Sequence, residues 1–164
     1  MNKGTGYPMT ANGQIQVITL YNRLLQSWNN HNAKEFADLF AADGNTIGFD
    51  GSQMNGQREI KDQLSQIFLD HKVASYVGIV REVRMLSDNV YLLRAVAGMI
   101  PPGQTKIKPD VNAIQTLVAQ IDKKNFHISI FQNTPAAFHG RPELSIQLTE
   151  ELQRVADSGQ FSQS

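Results

Sequence analysis

Asp50-Gly51 is the pair of residues in this chain most open to a chemical reading. A carboxylate near a strand end, withdrawn from water, would titrate near neutrality and could take a proton from a bound molecule. The same dipeptide is also ordinary turn chemistry, the Asp capping its own backbone and the Gly taking positive φ, and this plainer reading weighs more. His31 could serve as an acid or base because imidazole titrates near neutral pH. Set among Asn29, Asn30 and Asn32 at a helix end, it reads more simply as a solvated or capping residue. His127 alternates with Ser129, Phe131 and Asn133, which places the four on one strand face, either a pocket wall or a sheet satisfied by its neighbours. The Asn133 amide could orient a ligand by donating and accepting at once, or spend itself on backbone at the strand end before Pro135.

Other chemistries are excluded by what the chain lacks. It has no cysteine, no His-Glu-x-x-His helix, no Gly-x-Ser-x-Gly elbow, no phosphate loop and no Gly-x-Gly-x-x-Gly turn. Its four histidines are scattered without metal-ligand spacing, so neither a metal nor a bound redox cofactor is expected. Fifteen basic and fifteen acidic residues cancel, and no basic stripe is interleaved with aromatics, which argues against nucleic acid and anionic membrane as partners. No stretch is apolar enough to span a bilayer. The absence of cysteine fits a reducing compartment, and a cytoplasmic location is the expectation.

The elements that must position these residues follow from periodicity. A chain of 164 residues, 41% hydrophobic and 18% charged, suits one domain. At this size about 68–70% of the unfolded chain's surface can be buried without disulfide or metal. Residues 1–12 read as a flexible tail rather than a signal peptide. Val17, Leu20, Leu24 and Trp28 step by three or four and give a helix over about 13–30, followed by a short one from Ala33 with Phe36, Leu39 and Phe40 on one side. Thr46 to Asp50 reads as a short strand, and Ile60, Leu64, Ile67 and Phe68 as a third helix. Tyr76–Leu86, Val90–Ile100, Val111–Ile121 and Phe126–Asn133 read as an antiparallel meander whose second turn, Pro101 to Pro109, is long enough to suggest a function. Pro142 opens a final helix to about residue 157, carrying Leu144, Leu148, Leu152 and Val155. Helices followed by consecutive hairpins indicate an α+β fold.

Several motifs stand in an order that resembles a known group. Trp28-Asn29, Phe36-Ala37-Asp38-Leu39-Phe40-Ala41-Ala42-Asp43, Asp50-Gly51, Gly56-Gln57-Arg58-Glu59-Ile60 and Phe131-Gln132-Asn133-Thr134 resemble the SgcJ/EcaC group of the SnoaL-like, nuclear transport factor 2-like superfamily. The resemblance covers about residues 13–135, leaving 136–164 as a C-terminal extension. It implies a cystatin-like cone, helices packed in a strongly curved, mostly antiparallel sheet, with a pocket between them and usually a homodimer through the sheet's outer face. The extension would cover the pocket mouth or a neighbouring subunit. Trp28, Phe36, Phe40 and Phe49 would then line an apolar cavity, although on spacing alone such an aromatic set is plain core. Asp50 falls near the superfamily's pocket base. Departures weaken an inherited electrostatic role: Asn32 stands where the group commonly has Asp, Gln57 where it often has Arg, and Phe126 where it often has Trp. Leu24 stands where ketosteroid isomerases of the superfamily carry a tyrosine donor, which argues against isomerase chemistry of that design.

Three functions are consistent with these residues. The leading one is a homodimeric module binding a small, mostly apolar molecule. The second is a cofactor-independent enzyme acting on a polyketide-like substrate, with Asp50 as base and His31 or Asn133 assisting. The third is a pure association domain. Arg81, Glu82, Arg84 and Arg94 are expected on a charged outer sheet face rather than in a site.

Overall fold

A computed structural model describes residues 9–164 as three helices packed in the hollow of a seven-stranded sheet, with a fourth helix on the sheet's other side. The elements are α1 (Met9–Asn29), α2 (Ala33–Asp38), β1 (Phe40–Ile47), β2 (Gln53–Asn55), α3 (Gln57–Asp70), β3 (Ser75–Ser87), β4 (Val90–Ile100), a short 3-10 turn (Pro109–Val111), β5 (Ala113–Asp122), β6 (Asn125–Pro135), α4 (Pro142–Asp157) and β7 (Ser162–Gln163). The sheet order is β2-β1-β6-β5-β4-β3-β7, with β1–β6 and β3–β7 parallel and the other pairs antiparallel.

Local chemistry sets the boundaries. Asn29, Asn30, His31 and Asn32 end α1, His31 turning the chain with φ of 55°. Asn32 then caps α2 by accepting from the Glu35 N–H at 3.0 Å. Phe40, expected on α2, is instead the first residue of β1, because the chain leaves the helix at Leu39 to join β6. Helix α1 begins at Met9, ahead of the expected start near 13, so the expected tail of 1–12 falls partly on helix and otherwise outside the described residues.

One close approach and two bulges shape the core. Gly78 on β3 faces α1, where an added Cβ would fall onto the Tyr21 hydroxyl and 2.8 Å from Leu25 Cδ1, so only glycine lets helix and strand meet this closely. Val17, Tyr21, Leu24 and Leu25 of α1 are thereby buried against Leu93, Leu117 and Ile128 of the sheet. Bulges interrupt the ladders between Val80 and Glu82 on β3 and at Ser129 on β6, where extra residues sharpen the local twist.

The extension packs on its own sheet rather than over a pocket mouth. Leu148, Leu152 and Val155 of α4 bury against Val77, Val96 and Ile107 on the outer face. Gly98 opens that face to Leu152, whose Cδ1 an added Cβ would meet at 2.9 Å. The 101–109 loop is tied to the same helix: the Ile107 N–H donates to Gln153 Oε1 at 2.8 Å, and Gln153 Nε2 donates to the Thr105 carbonyl at 3.0 Å. Arg81 clasps Glu151 of α4 with two bonds of 2.9 Å, and Arg94 meets Glu82 at 3.1 Å, so the outer sheet face carries charge as expected.

Candidate functional site

Between α2, α3 and the hollow of the sheet lies a cavity of about 330 Å³. Its apolar wall comes from Trp28 at the end of α1, Phe36 of α2, Leu64 and Ile67 of α3, Met54 of β2, Met99 of β4 and Phe131 of β6. Thr46, Tyr76 and Asn133 add polar atoms, and the turn from Gly48 to Ser52, with Phe49, forms the mouth. Trp28 and Tyr76 are held in place. Trp28 Nε1 donates to the Ala74 carbonyl at 2.9 Å, and its ring meets Tyr76 and Phe68 at 5.3 Å and Phe36 at 6.2 Å. Asn29 pins the start of β3, accepting from the Tyr76 N–H at 2.7 Å and donating to the Tyr76 carbonyl at 3.1 Å. Burial pushes the Tyr76 phenol up to about 12, so it remains a neutral O–H.

A chain of buried amides runs under the polar side. Tyr21 Oη donates to Gln115 Oε1 at 2.6 Å, Gln115 Nε2 donates to Asn133 Oδ1 at 2.9 Å, and Asn133 Nδ2 donates to the Ile47 carbonyl at 3.1 Å. Tyr21 and Gln115 are 0% exposed and Asn133 7%. The polarity of this chain is fixed from one end. The Ile47 carbonyl can only accept, so Asn133 must turn its Nδ2 toward β1 and its Oδ1 toward β5. Gln115 must then offer Nε2 to Asn133 and Oε1 to Tyr21, which leaves the phenol as donor. Burial, with the Tyr76 phenol nearby, raises the Tyr21 phenol far above its ordinary range and keeps that proton in place.

The expected site residues separate into two groups. Trp28, Phe36, Phe49, Asp50 and Asn133 share the cavity. Phe40 does not: it is 1% exposed and stacked on Phe36 at 5.5 Å as plain core. His31 lies on an open surface groove with Asn30, Asn32 and Lys34. Phe68 touches both His31, at 5.4 Å, and the cavity-lining Trp28. His127 is also elsewhere, and the reason is the bulge at Ser129. Ala119 pairs with Ile128 and Val118 with Ile130, so the extra residue reverses the alternation between Phe131 and His127. Ile128, Phe131 and Asn133 face inward, while His127, opposite Gln120, borders separate polar clefts beside Lys124 and Asp122.

Asp50 lines the mouth without the desolvation that would make it a base. Its side chain is exposed, and Oδ1 accepts from the Ser52 N–H at 2.9 Å inside a turn closed by Gly51 N–H to Gly48 carbonyl at 3.0 Å. The Ser52 backbone N–H, then the Ser52 hydroxyl, hold the carboxyl below its usual range. It is an anion throughout the neutral range, in turn geometry, with φ of 90° at Gly51. No cluster of three potential metal ligands occurs among the described residues, and no described helix is long and apolar enough to cross a membrane.

Tyr21, Gln115 and Tyr76 escaped the sequence reading. The signal for Gln115 is parity: in Ala113-Ile114-Gln115-Thr116-Leu117 it shares the inward phase with buried Ala113 and Leu117, so a polar residue sits at a core position. A tyrosine donor is also present on α1, one turn before Leu24, but its hydroxyl is spent on Gln115.

The sequence matches no protein-family model and no curated protein. Solved structures do match. A domain of unknown function with a cystatin-like fold from Nostoc punctiforme superposes with a TM-score of 0.72 at 22% identity, over 90% of this chain and 94% of that one. A nuclear transport factor 2-like protein of unknown function from Shewanella oneidensis gives 0.60 at 13% identity, over 72% of this chain and 95% of the other. A protein from Xanthomonas campestris, provisionally described as a calcium/calmodulin dependent protein kinase II association domain, gives 0.60 at 18%, over 75% and 87%. The chain has the cystatin-like, nuclear transport factor 2-like fold, with α4 on the outer sheet face.

Proposed function

We propose that this protein is a cytoplasmic, homodimeric binding module for one small, mostly apolar molecule, akin to the SgcJ/EcaC group whose ordered motifs it carries. The observation that carries the reading is the composition of one wall. An aromatic cavity of about 330 Å³ holds a buried amide on one side and, among the described residues, no His, Lys or second carboxylate placed to work with Asp50. Pockets of this kind, apolar with a few placed polar groups, are how small ligands are held. The cofactor-independent catalytic reading draws less support, since Asp50 is exposed and held anionic and His31 lies outside the cavity. A thermal-shift screen of uncharged aromatic compounds tests the proposal. Stabilisation by at least one compound, lost when Met54→Trp fills the cavity, is expected. No stabilisation across the panel contradicts it.

An association role is the second reading, and one surface favours it. The outward residues Leu92, Val118 and Ile130 are cross-strand neighbours on β4, β5 and β6, and α4 leaves this row uncovered. A second copy seated there would bury apolar area beside the Arg94–Glu82 pair. Sedimentation equilibrium should give a dimer that Val118→Arg converts to monomer; a monomeric parent protein removes both the dimer and the association reading.

A further inference from the structure

We propose that Asn133 is the specificity-determining hydrogen-bond donor of the cavity, and that it selects uncharged aromatic molecules carrying a carbonyl-type acceptor. This deepens the binding reading and rests on it. A planar carboxamide has two N–H groups on Nδ2, one on the Cβ side and one on the Oδ1 side. The Asn133 side chain rises from β6 into the hollow, whereas its partner, the Ile47 carbonyl, lies at the level of the neighbouring strand. The bond to Ile47 uses one of these two N–H groups. The other has no acceptor among the described residues and is left for a molecule in the space that Asn133 lines with Trp28, Phe36 and Phe131. Asn133 Oδ1 is engaged by Gln115, so the amide faces a ligand mainly as a donor. A flipped amide would set Oδ1 against the Ile47 carbonyl and Nδ2 against Gln115 Nε2, so the two buried partners hold the donor in one orientation. Gln115 and Tyr21 are therefore positioning residues for it.

Charge narrows the ligand class. Among the described residues no Lys, Arg or His lines the cavity, and the one ionised group there is the Asp50 carboxylate at the mouth. A carboxylate ligand would lose its hydration with no cation to compensate it and would meet a like charge on entry. A neutral ketone, amide or quinone-like acceptor on an aromatic frame meets the Asn133 N–H and the aromatic wall without that cost.

The test compares three probes of similar shape, 2-acetylnaphthalene, 2-isopropylnaphthalene and 2-naphthoate, by competition against a neutral fluorescent naphthyl ketone. The full chain should bind the ketone roughly tenfold more tightly than the hydrocarbon, equivalent to about 1.4 kcal/mol, and the carboxylate most weakly. Asn133→Leu should bind ketone and hydrocarbon alike, and Gln115→Met should lower the ketone preference while leaving hydrocarbon affinity unchanged, a split that loss of folding would not produce. Equal affinity for ketone and hydrocarbon in the parent protein overturns the donor assignment and leaves the cavity reading standing. Tighter binding of 2-naphthoate overturns the charge argument, and no binding of any probe overturns both this inference and the function it rests on.

Discussion

Replacing Tyr21 with Phe removes one oxygen and leaves the ring to fill the same space. The hydroxyl it deletes is, among the described residues, the only donor to Gln115 Oε1, an atom on a side chain with 0% exposure. A buried acceptor left unpaired costs about 1–3 kcal/mol, more than the net value of the bond itself, because its desolvation is no longer offset. For a chain of this size that corresponds to a drop in Tm of roughly 2–12 °C, taking about 2–4 °C per kcal/mol. Urea denaturation of Tyr21→Phe, Gln115→Met and the double variant forms a cycle in which the double should cost less than the sum of the singles, since it removes both ends of the broken bond. If Tyr21→Phe unfolds within about 0.5 kcal/mol of the parent, the Gln115 oxygen has another partner and the positioning role given to Tyr21 fails.

Three further outcomes follow from the same structure. Below the ordinary tyrosine value of 10.0, Tyr21 is protonated folded and unfolded and its contribution is complete. Above it the unfolded chain releases its proton first, so stability should fall by up to about 1.4 kcal/mol per pH unit, and denaturation between about pH 9 and pH 11 should show a shallower fall in Tyr21→Phe. Leu152→Ala, at a fully buried site between α4 and the sheet, should cost about 2–5 kcal/mol by denaturant titration; a negligible cost would mean that α4 does not pack on the outer face. Asp50→Asn keeps an acceptor for the Ser52 N–H, so Tm should stay unchanged while 2-naphthoate binding improves in a competition assay; an unchanged affinity would show that the mouth charge does not select.

Much of the scaffold was legible because it rests on periodicity. The stripe on α1, the β3–β4 and β5–β6 hairpins and α4 from Pro142 follow from spacing and turn residues, and the structure has them where the spacing put them. The resemblance implied a cavity, and of the residues it pointed to Trp28, Phe36, Phe49 and Asp50 line one, which no local pattern marks as a pocket. What misled the strand reading was a single extra residue. Alternation back from Asn133 assumes an unbroken ladder, and the Ser129 bulge breaks it, sending His127 to the other face. Phe40 was misplaced for a related reason, since the residue that ends a short helix and the one that starts the next strand share one apolar run. Asp50, read both as a pocket base and as turn chemistry, has the turn geometry, because the Asp-Gly pair acts through its own backbone. The Tyr21–Gln115–Asn133 relay joins residues 94 and 18 positions apart, and only the assembled sheet brings them together.

The most direct test of the account is a high-resolution crystal structure of the protein purified from its native host, inspected for density in the cavity. The account predicts a compact, largely aromatic molecule against Trp28, Phe36 and Phe131, with an acceptor atom within hydrogen-bond distance of Asn133 Nδ2. A cavity closed by side chains, or a bound molecule whose charged group lies at Asp50 with nothing near Asn133, would contradict it.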